Sequence, residues 1–580
     1  MKKIISHLLV LVFYSLLTVL LTYPQIRHMK QGIYSLSDQL FYAWMIERNT
    51  ESILQKPLSE FYNASVFYPY ENTLSFGDHL LGETFLAFPF YITTHNPVFA
   101  ENVLILASFV LSAYGMFLLV KHFTNNVWIA VVGGVLFSFS HVRFNQYDHL
   151  NIISTEWLPF IFLFLQRYLE KWKVRDLIFL SVFYLLTIFL TVYYLVMVSL
   201  AIVIYVGVWI IFTKIKIQTK LKEFSFLLVC LGICVAIIFP TLLPYFEFSR
   251  EFPQLKRVIQ DNIIYSANIM SYFMITRTAV ASRIAGLSNL SEADAGLFPG
   301  IVVLTGTLFS LLYGLKEKGT KTYILFFSVL SIIFLLLSLG PFLKFTEKVM
   351  TSSPLPYYYL YNLLFPLQIM RVPARFAIFA ELFLVLLACF GFHFVYKHLI
   401  QPKIQWIFLT AIVGVAILET WSVPVPLTLV EIKKDFPQVY FWLKEQPENT
   451  TVLELPIPSN VLQNPIKQNY RHAFMQDLSI LDRDNVEAYR NYFSLLHGKR
   501  IVNGYSAYAP PLYLEVVEKV SRFPEESSIL ALRESKVDYV VIHMKQYLPD
   551  VRERIYDMLD TENNVEVVKQ FNDDLVIKIL

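Results

Sequence analysis

Long apolar runs separated by short polar turns fill the first 423 residues. A helix crossing a bilayer needs about 20 mostly apolar residues, fewer where it packs against protein. Eleven runs qualify: Ile4–Thr22, Asn102–Val120, Val127–Ser140, Ile152–Leu169, Leu177–Thr191, Tyr194–Phe212, Phe224–Leu243, Leu297–Leu315, Tyr323–Leu343, Phe376–Tyr396 and Ile404–Val423. Leu177–Phe212 carries no charge over 36 positions, too long for one crossing, and divides at the polar and aromatic Thr191–Tyr194. Leu80–Ile92 is apolar but interrupted by Glu83 and Pro89, which predicts an interfacial or re-entrant helix. Lys2 and Lys3 precede the first run as in a signal peptide. No small-x-small cleavage site follows, so an uncleaved first helix is expected.

The pattern changes after the breaker VPVP. Residues 424–580 hold 18 Lys/Arg and 23 Asp/Glu, and strand-like runs (TVLELPIP, VDYVVIHM) alternate with helical ones (NVEAYRNYFSLLHG, LPDVRERIYDMLD). The closing VEVVKQFNDDLVIKIL predicts a hairpin turning at Asn572–Asp574. The expected fold class is therefore a polytopic α-helical membrane bundle, residues 1–423, followed by an α/β domain, residues 424–580.

Composition narrows the function classes. Hydrophobic residues make up 56% of the 580 positions and charged residues 16%, against about 25% charged in soluble proteins. The net charge of +3 is too small to imply a nucleic acid as partner. Cys230, Cys234 and Cys389 all lie in apolar runs and form no C-x-x-C pair, so they are expected as small buried hydrophobes. The partner that the composition does imply is the lipid bilayer.

Loop charge sets the expected orientation. The short turns 121–126, 170–176, 213–223, 316–322 and 397–403 together hold 13 Lys/Arg against 4 Asp/Glu. These are expected on the cytoplasmic side with the N-terminus. The loops 23–101, 141–151, 244–296 and 344–375 then face outward, and an odd number of spans places the tail with them. The expectation is a multi-pass protein of the cytoplasmic membrane with an extracytoplasmic C-terminal domain.

Acids and bases crowd the outward loops. Asp38 stands in SLSDQLFYAWMIERN, where Ser37 or Asp38 could also simply cap a helix running to about Arg48. Asp78 and His79 precede the Leu80–Ile92 segment and Glu83 lies one turn into it; an N-cap role for Asp78 is the competing expectation. Asp38, Asp78, His79 and Glu83 could share one pocket. His141, Arg143, Asp148, His149 and Glu156 fall within sixteen positions, with Arg143 the expected ion-pair partner of Glu156. Glu292 and Asp294 precede the eighth run, and Arg371 and Arg375 open the tenth. Those guanidinium groups suit either lipid headgroups or a bidentate grip on a lipid phosphate. Phosphate-loop, G-x-S-x-G, H-E-x-x-H and dinucleotide motifs are absent.

With DHLLGE, HLNIISTEWLP, LFPG and RVPARF in this layout, residues 1–423 resemble the GT-C superfamily of membrane glycosyltransferases. Protein mannosyltransferases, the oligosaccharyltransferase catalytic subunit and lipid A aminoarabinose transferases are members. The resemblance implies an inverting sugar transfer from a polyprenyl-phosphate donor to a glycan, lipid or protein acceptor outside the cytoplasmic membrane. It matches Asp38 to the family's first-loop acid, the expected general base, and Asp148 or Glu156 to the second-loop acid. Asp78, His79, Asp148, His149 and Glu156 are the candidates for a Mg or Mn site, Arg371 and Arg375 for the donor phosphate, and Glu83, Arg143 and Glu292 for supporting roles. The sequence departs from the family in having no Asp-Glu pair after the first span, no D-x-D in the outward loops of residues 1–423 and no W-W-D-Y-G in the tail. Rival classes are a transporter or flippase of a lipid-linked saccharide and a non-catalytic envelope assembly protein.

Overall fold

The computed structural model describes residues 2–580 except 216, 256, 278, 285–295, 318, 346–347, 458–482, 521–522 and 548. Helix occupies every one of the eleven apolar runs. Seven helical stretches among the described residues are long and apolar enough to cross a membrane, and Ile5–Leu21 and Ile301–Lys316 are shorter apolar ones. The Leu81–Thr94 helix lies where the interrupted run Leu80–Ile92 placed it.

The fourth run departs from expectation, because it is not one helix. A short Leu150–Ile153 turn is followed by a break over 154–157, and the helix resumes at Leu158–Lys171. Polar side chains of the Ser154–Glu156 stretch compete with helix continuation. Ser112 and Thr155 hydroxyls lie 3.1 Å apart and Ser108 donates to the Ile153 carbonyl at 2.7 Å. The break is thereby stapled to the Pro97–Thr124 helix. Pro159 enters in the first turn of the resumed helix, where its missing N–H costs nothing. The ninth run ends at Ser338, and its expected last residues instead open an antiparallel hairpin, Phe342–Phe345 with Lys348–Pro354.

Side-chain contacts sort the connections onto two ends. The basic turns meet at one: Glu170 contacts His122 at 3.3 Å and the Tyr323 hydroxyl at 3.4 Å, Trp172 packs on Phe224, and Lys397 pairs with Glu317 at 3.3 Å. At the other end the first loop is woven into the tail. Gly32–Ile33 pairs antiparallel with Thr428–Leu429. Residues 65–68 run beside 501–503, with the Ile501 N–H bonded to the Ser65 carbonyl and the Phe67 N–H to that of Asn503. A buried acid strengthens the seam: Glu47 of the first loop pairs with Lys433 of the tail.

The tail carries a five-stranded sheet in the order Arg500–Ile501, Thr451–Leu455, Tyr539–His543, Asp574–Ile579, Val565–Gln570. The first three strands are parallel and the last two close the predicted hairpin. Its helix Arg483–His497 packs against Asp38–Gln55 of the first loop. That packing brings tail side chains to the mouth of the bundle.

Candidate active site

Asp38 is the first residue of the Asp38–Gln55 helix, but neither it nor Ser37 caps the helix with its side chain. The carboxylate turns outward instead. Its Oδ1 accepts a hydrogen bond from the Tyr505 hydroxyl at 2.8 Å, and its Oδ2 lies 3.3 Å from His149 Nε2. The other ring nitrogen of His149 lies 2.8 Å from Asp148 Oδ1. An imidazole thus bridges two carboxylates from separate loops. Side-chain exposures of 28% for Asp38, 21% for His149 and 14% for Asp148 leave the cluster open to solvent. Burial alone would push Asp148 up, but His149 and then Arg277 outweigh it and hold this carboxyl below its usual range. Burial alone would push His149 down, and Asp148 and Asp38 together raise it above an ordinary histidine. The charged imidazolium is the form this site favours.

Asp78 sits one linkage away. Tyr42, one turn beyond Asp38, donates to Asn151 Oδ1 at 2.9 Å, and Asn151 Nδ2 donates to Asp78 Oδ2 at 2.8 Å. Asp78 also receives the Thr191 hydroxyl and, at 3.2 Å, the Val192 N–H. The expected cap is therefore misplaced: Asp78 caps the Val192–Thr213 helix, not the Leu81–Thr94 helix that follows it. The physical reason is close packing at Gly82, where an added Cβ would stand 2.8 Å from the Phe189 carbonyl. That approach carries Asp78 to the polar break at Thr191, whose hydroxyl takes the Tyr193 N–H of the helix and leaves the Val192 N–H for an acid.

The remaining candidates separate from the cluster. His79 is buried, its Nδ1 accepts the Leu81 N–H at 3.1 Å, and burial lowers its basicity. Glu83 is also buried, its carboxyl has no hydrogen-bond partner among the described residues, and burial raises it well above the usual value. The single pocket expected for Asp38, Asp78, His79 and Glu83 thus reduces to Asp38, with Asp78 as a bracket. Arg143 does not pair with Glu156. It donates to the Ser138 carbonyl at 2.9 Å, the Ser138 hydroxyl at 3.0 Å, Ser108 Oγ at 2.8 Å and the Ile153 carbonyl at 2.9 Å. Its Cζ also stacks 4.7 Å from the Phe109 ring centre. Glu156 is buried beside Ser108 in the helix break. Arg143 and Glu156 hold the second loop in place. Glu292 and Asp294 lie outside the described residues.

Arg371 and Arg375 do reach the same end. Each lies over a tyrosine ring, Arg371 Cζ 4.5 Å from the Tyr265 ring centre and Arg375 Cζ 4.7 Å from that of Tyr193. The Tyr193 hydroxyl accepts the Arg371 N–H at 3.2 Å. A third guanidinium joins them: Arg257 stacks 4.1 Å from Tyr508 and donates to the Ala507 carbonyl at 3.2 Å. Stacking fixes a guanidinium plane while leaving its edge able to grip an oxyanion. Among the described residues no three His, Cys, Asp or Glu side chains come together to hold a metal ion. Asp38 already accepts a hydrogen bond from Tyr505 and pairs with His149, and Asp78 accepts from Asn151, Thr191 and Val192.

Sequence reasoning missed Tyr505, Asn151, Thr191 and Arg257. Only Thr191 left a signal, as the polar break inside a charge-free run.

Residues 5–420 match the family described as Domain of unknown function (DUF6311). The chain belongs to this family. No curated protein matches it in sequence. Among solved structures, arabinofuranosyltransferase AftD from Mycobacteria superposes with a TM-score of 0.62 at 11% identity, over 98% of this chain and 40% of that one. The chain therefore spans well under half of AftD's length. Oligosaccharyltransferase AglB from Archaeoglobus fulgidus aligns at 0.48 and 12% identity, over 93% and 69%. ArnT from Cupriavidus metallidurans aligns at 0.46 and 8%, over 99% and 98%. The fold of this DUF6311 member is therefore similar to that of AftD over nearly its whole length, and its long apolar helices make it a multi-pass membrane protein.

Proposed function

We propose that this protein is an inverting glycosyltransferase that takes a sugar from a polyprenyl-phosphate donor and passes it to an acceptor hydroxyl. The observation that carries this reading is the open Asp38–His149–Asp148 cluster at the same end of the bundle as three tyrosine-stacked arginines. A lipid-linked donor suits that placement, because its tail stays in the bilayer while its sugar enters the aqueous mouth. The acceptor oxygen attacks C1 as the C1–O bond to phosphate breaks; the bonding pair leaves with the phosphate. Asp38 removes the acceptor proton, the step that a weak hydroxyl nucleophile needs at neutral pH. Arg371 and Arg375, with Arg257, meet the charge that grows on the departing phosphate.

In this reading the basic turns face the cytoplasm, and the catalytic end and tail lie outside. A reporter fused after Leu580 is expected to be active only in its exported form; cytoplasmic activity would reverse the orientation. The transfer is tested on membranes containing the protein with a panel of radiolabelled undecaprenyl-phosphate pentoses and hexoses. One of them should release undecaprenyl phosphate, and Asp38→Asn should suppress that release. A wild type that translocates a lipid-linked saccharide without cleaving it would instead support the transporter class.

A further inference from the structure

We propose that Tyr505 is a positioning residue whose hydroxyl aims the Asp38 carboxylate at the acceptor, so that the tail domain completes the catalytic site. This inference rests on Asp38 acting as the base. Asp38 begins its helix without a capping bond, so nothing on its own element fixes its side-chain rotation. Two contacts from outside do so, a hydrogen bond from Tyr505 and an ion pair with His149. His149 holds Oδ2 and Tyr505 holds Oδ1, which sets the carboxylate plane and leaves the remaining lone pairs for a substrate hydroxyl.

Tyr505 is itself held firmly. The buried Asn491 clamps its backbone from both sides, accepting the Tyr505 N–H at 3.3 Å and donating to its carbonyl at 3.1 Å. The ring packs edge-on against Phe41, 5.2 Å between centres, three residues along the helix that Asp38 opens. Just beyond it, Ser506 lies so near Gly77 that a Cβ there would stand 2.6 Å from its hydroxyl, and Arg257 pins Ala507 and Tyr508. Backbone clamps, the ring contact and these anchors keep the 503–508 segment docked with no help from the phenol oxygen. The hydroxyl is left with one task, its bond to Asp38. Oriented groups contribute to rate only while the reacting geometry is held closely.

The test is a double-mutant cycle on the undecaprenyl-phosphate sugar that the wild type consumes. Tyr505→Phe should lower kcat by about 10-fold, the scale of one hydrogen bond to a charged group, with the donor KM unchanged. In the Asp38→Asn background the same substitution should have no further effect, because it acts through the lost carboxylate. An equal loss in both backgrounds would mean that Tyr505 works independently of Asp38 and would overturn the inference. So would unchanged kcat in Tyr505→Phe, or a rise, which would mark the phenol as a gate that the acceptor displaces. Full activity in Asp38→Asn would overturn the base assignment itself, and with it the premise of this inference. Limited proteolysis of Tyr505→Phe should match wild type, confirming that the tail remains docked.

Discussion

Two clusters of the same chemical type sit in opposite environments. At the mouth of the bundle, His149 bridges Asp148 and Asp38, and a tyrosine hydroxyl caps one acid. Inside the tail sheet, His543 bridges Asp574 at 2.8 Å and Glu454 at 3.0 Å, and the Tyr440 hydroxyl donates to Glu454 at 2.7 Å. The second set belongs to three neighbouring central strands and is sealed, with His543 2% and Glu454 0% exposed. Arg490 lies above it, bonded to Glu487 and the Pro456 carbonyl, and is also fully enclosed. The first set comes from three distant segments and keeps solvent access. An acid–histidine–acid arrangement is therefore not by itself a sign of chemistry. Access, and the three arginines at the same end, separate the cluster proposed to be reactive from the enclosed one.

The largest effect expected is in the sealed cluster. Glu454→Ala leaves a buried imidazolium and guanidinium without their shared counter-charge, a loss of about 3–5 kcal/mol by the usual cost of breaking a buried pair. Thermal unfolding of the purified protein followed by tyrosine and tryptophan fluorescence should show the tail transition collapse. A shift no larger than that of a surface substitution would break the comparison. The next effect is at the open cluster. Asp38→Asn keeps the size of the side chain, so it should accumulate normally yet lose transfer by about 10²-fold or more. Loss of accumulation instead of activity would make both clusters structural. Arg371→Ala should be smaller, raising the donor KM by about 10-fold as one charge-assisted grip on phosphate is lost. If kcat falls while KM stays constant, Arg371 acts only in the transition state.

The smallest effect is in pH dependence, and it sharpens the contrast. Burial opposes charge on His543, but Asp574 and Glu454 raise it above the ordinary histidine value. Burial likewise opposes charge on Glu454, yet His543 and Arg490 hold it below the carboxylate value. A raised histidine stabilises fully below about pH 6.5 and loses that contribution as pH climbs through its folded value. A lowered carboxyl stabilises above about pH 4.5 and loses it as pH drops through its folded value. Tail stability should therefore be greatest between these limits and fall on both sides. His543→Gln should flatten the alkaline limb most, and His149→Gln less, because its partners are partly exposed and solvent screens them. A flattening in His149→Gln equal to that in His543→Gln would erase the contrast between the two clusters.

The helices of the eleven apolar runs, the Leu81–Thr94 helix and the strand and helix patterns of the tail were legible because each is a local, periodic signal. A run of apolar side chains has one economical solution in a bilayer, and alternation has one on a sheet. The fourth run misleads because its overall hydropathy hides the Thr155 hydroxyl and the Ile153 carbonyl, which bond to a neighbouring helix and break the run. The capping expectations for Asp38 and Asp78 failed for a related reason. A cap and a long-range bracket use the same residue types in the same place, and only packing around Gly82 and Tyr505 separates them.

The sequence by itself determined a membrane bundle with a tail of different material, basic turns on one side and ionisable loops on the other. It also nominated Asp38, Asp148, His149, Arg371 and Arg375 from charge density near span ends. Tertiary structure alone decided which of the nominees meet. It joined Asp38 to Tyr505 across 467 positions and Asp78 to Thr191 across 113, and set Glu83, Arg143 and Glu156 apart as buried supports. Burial and chain crossing carry no local periodicity. A carboxylate that caps, one that brackets and one that can take a proton look alike until their surroundings are in place.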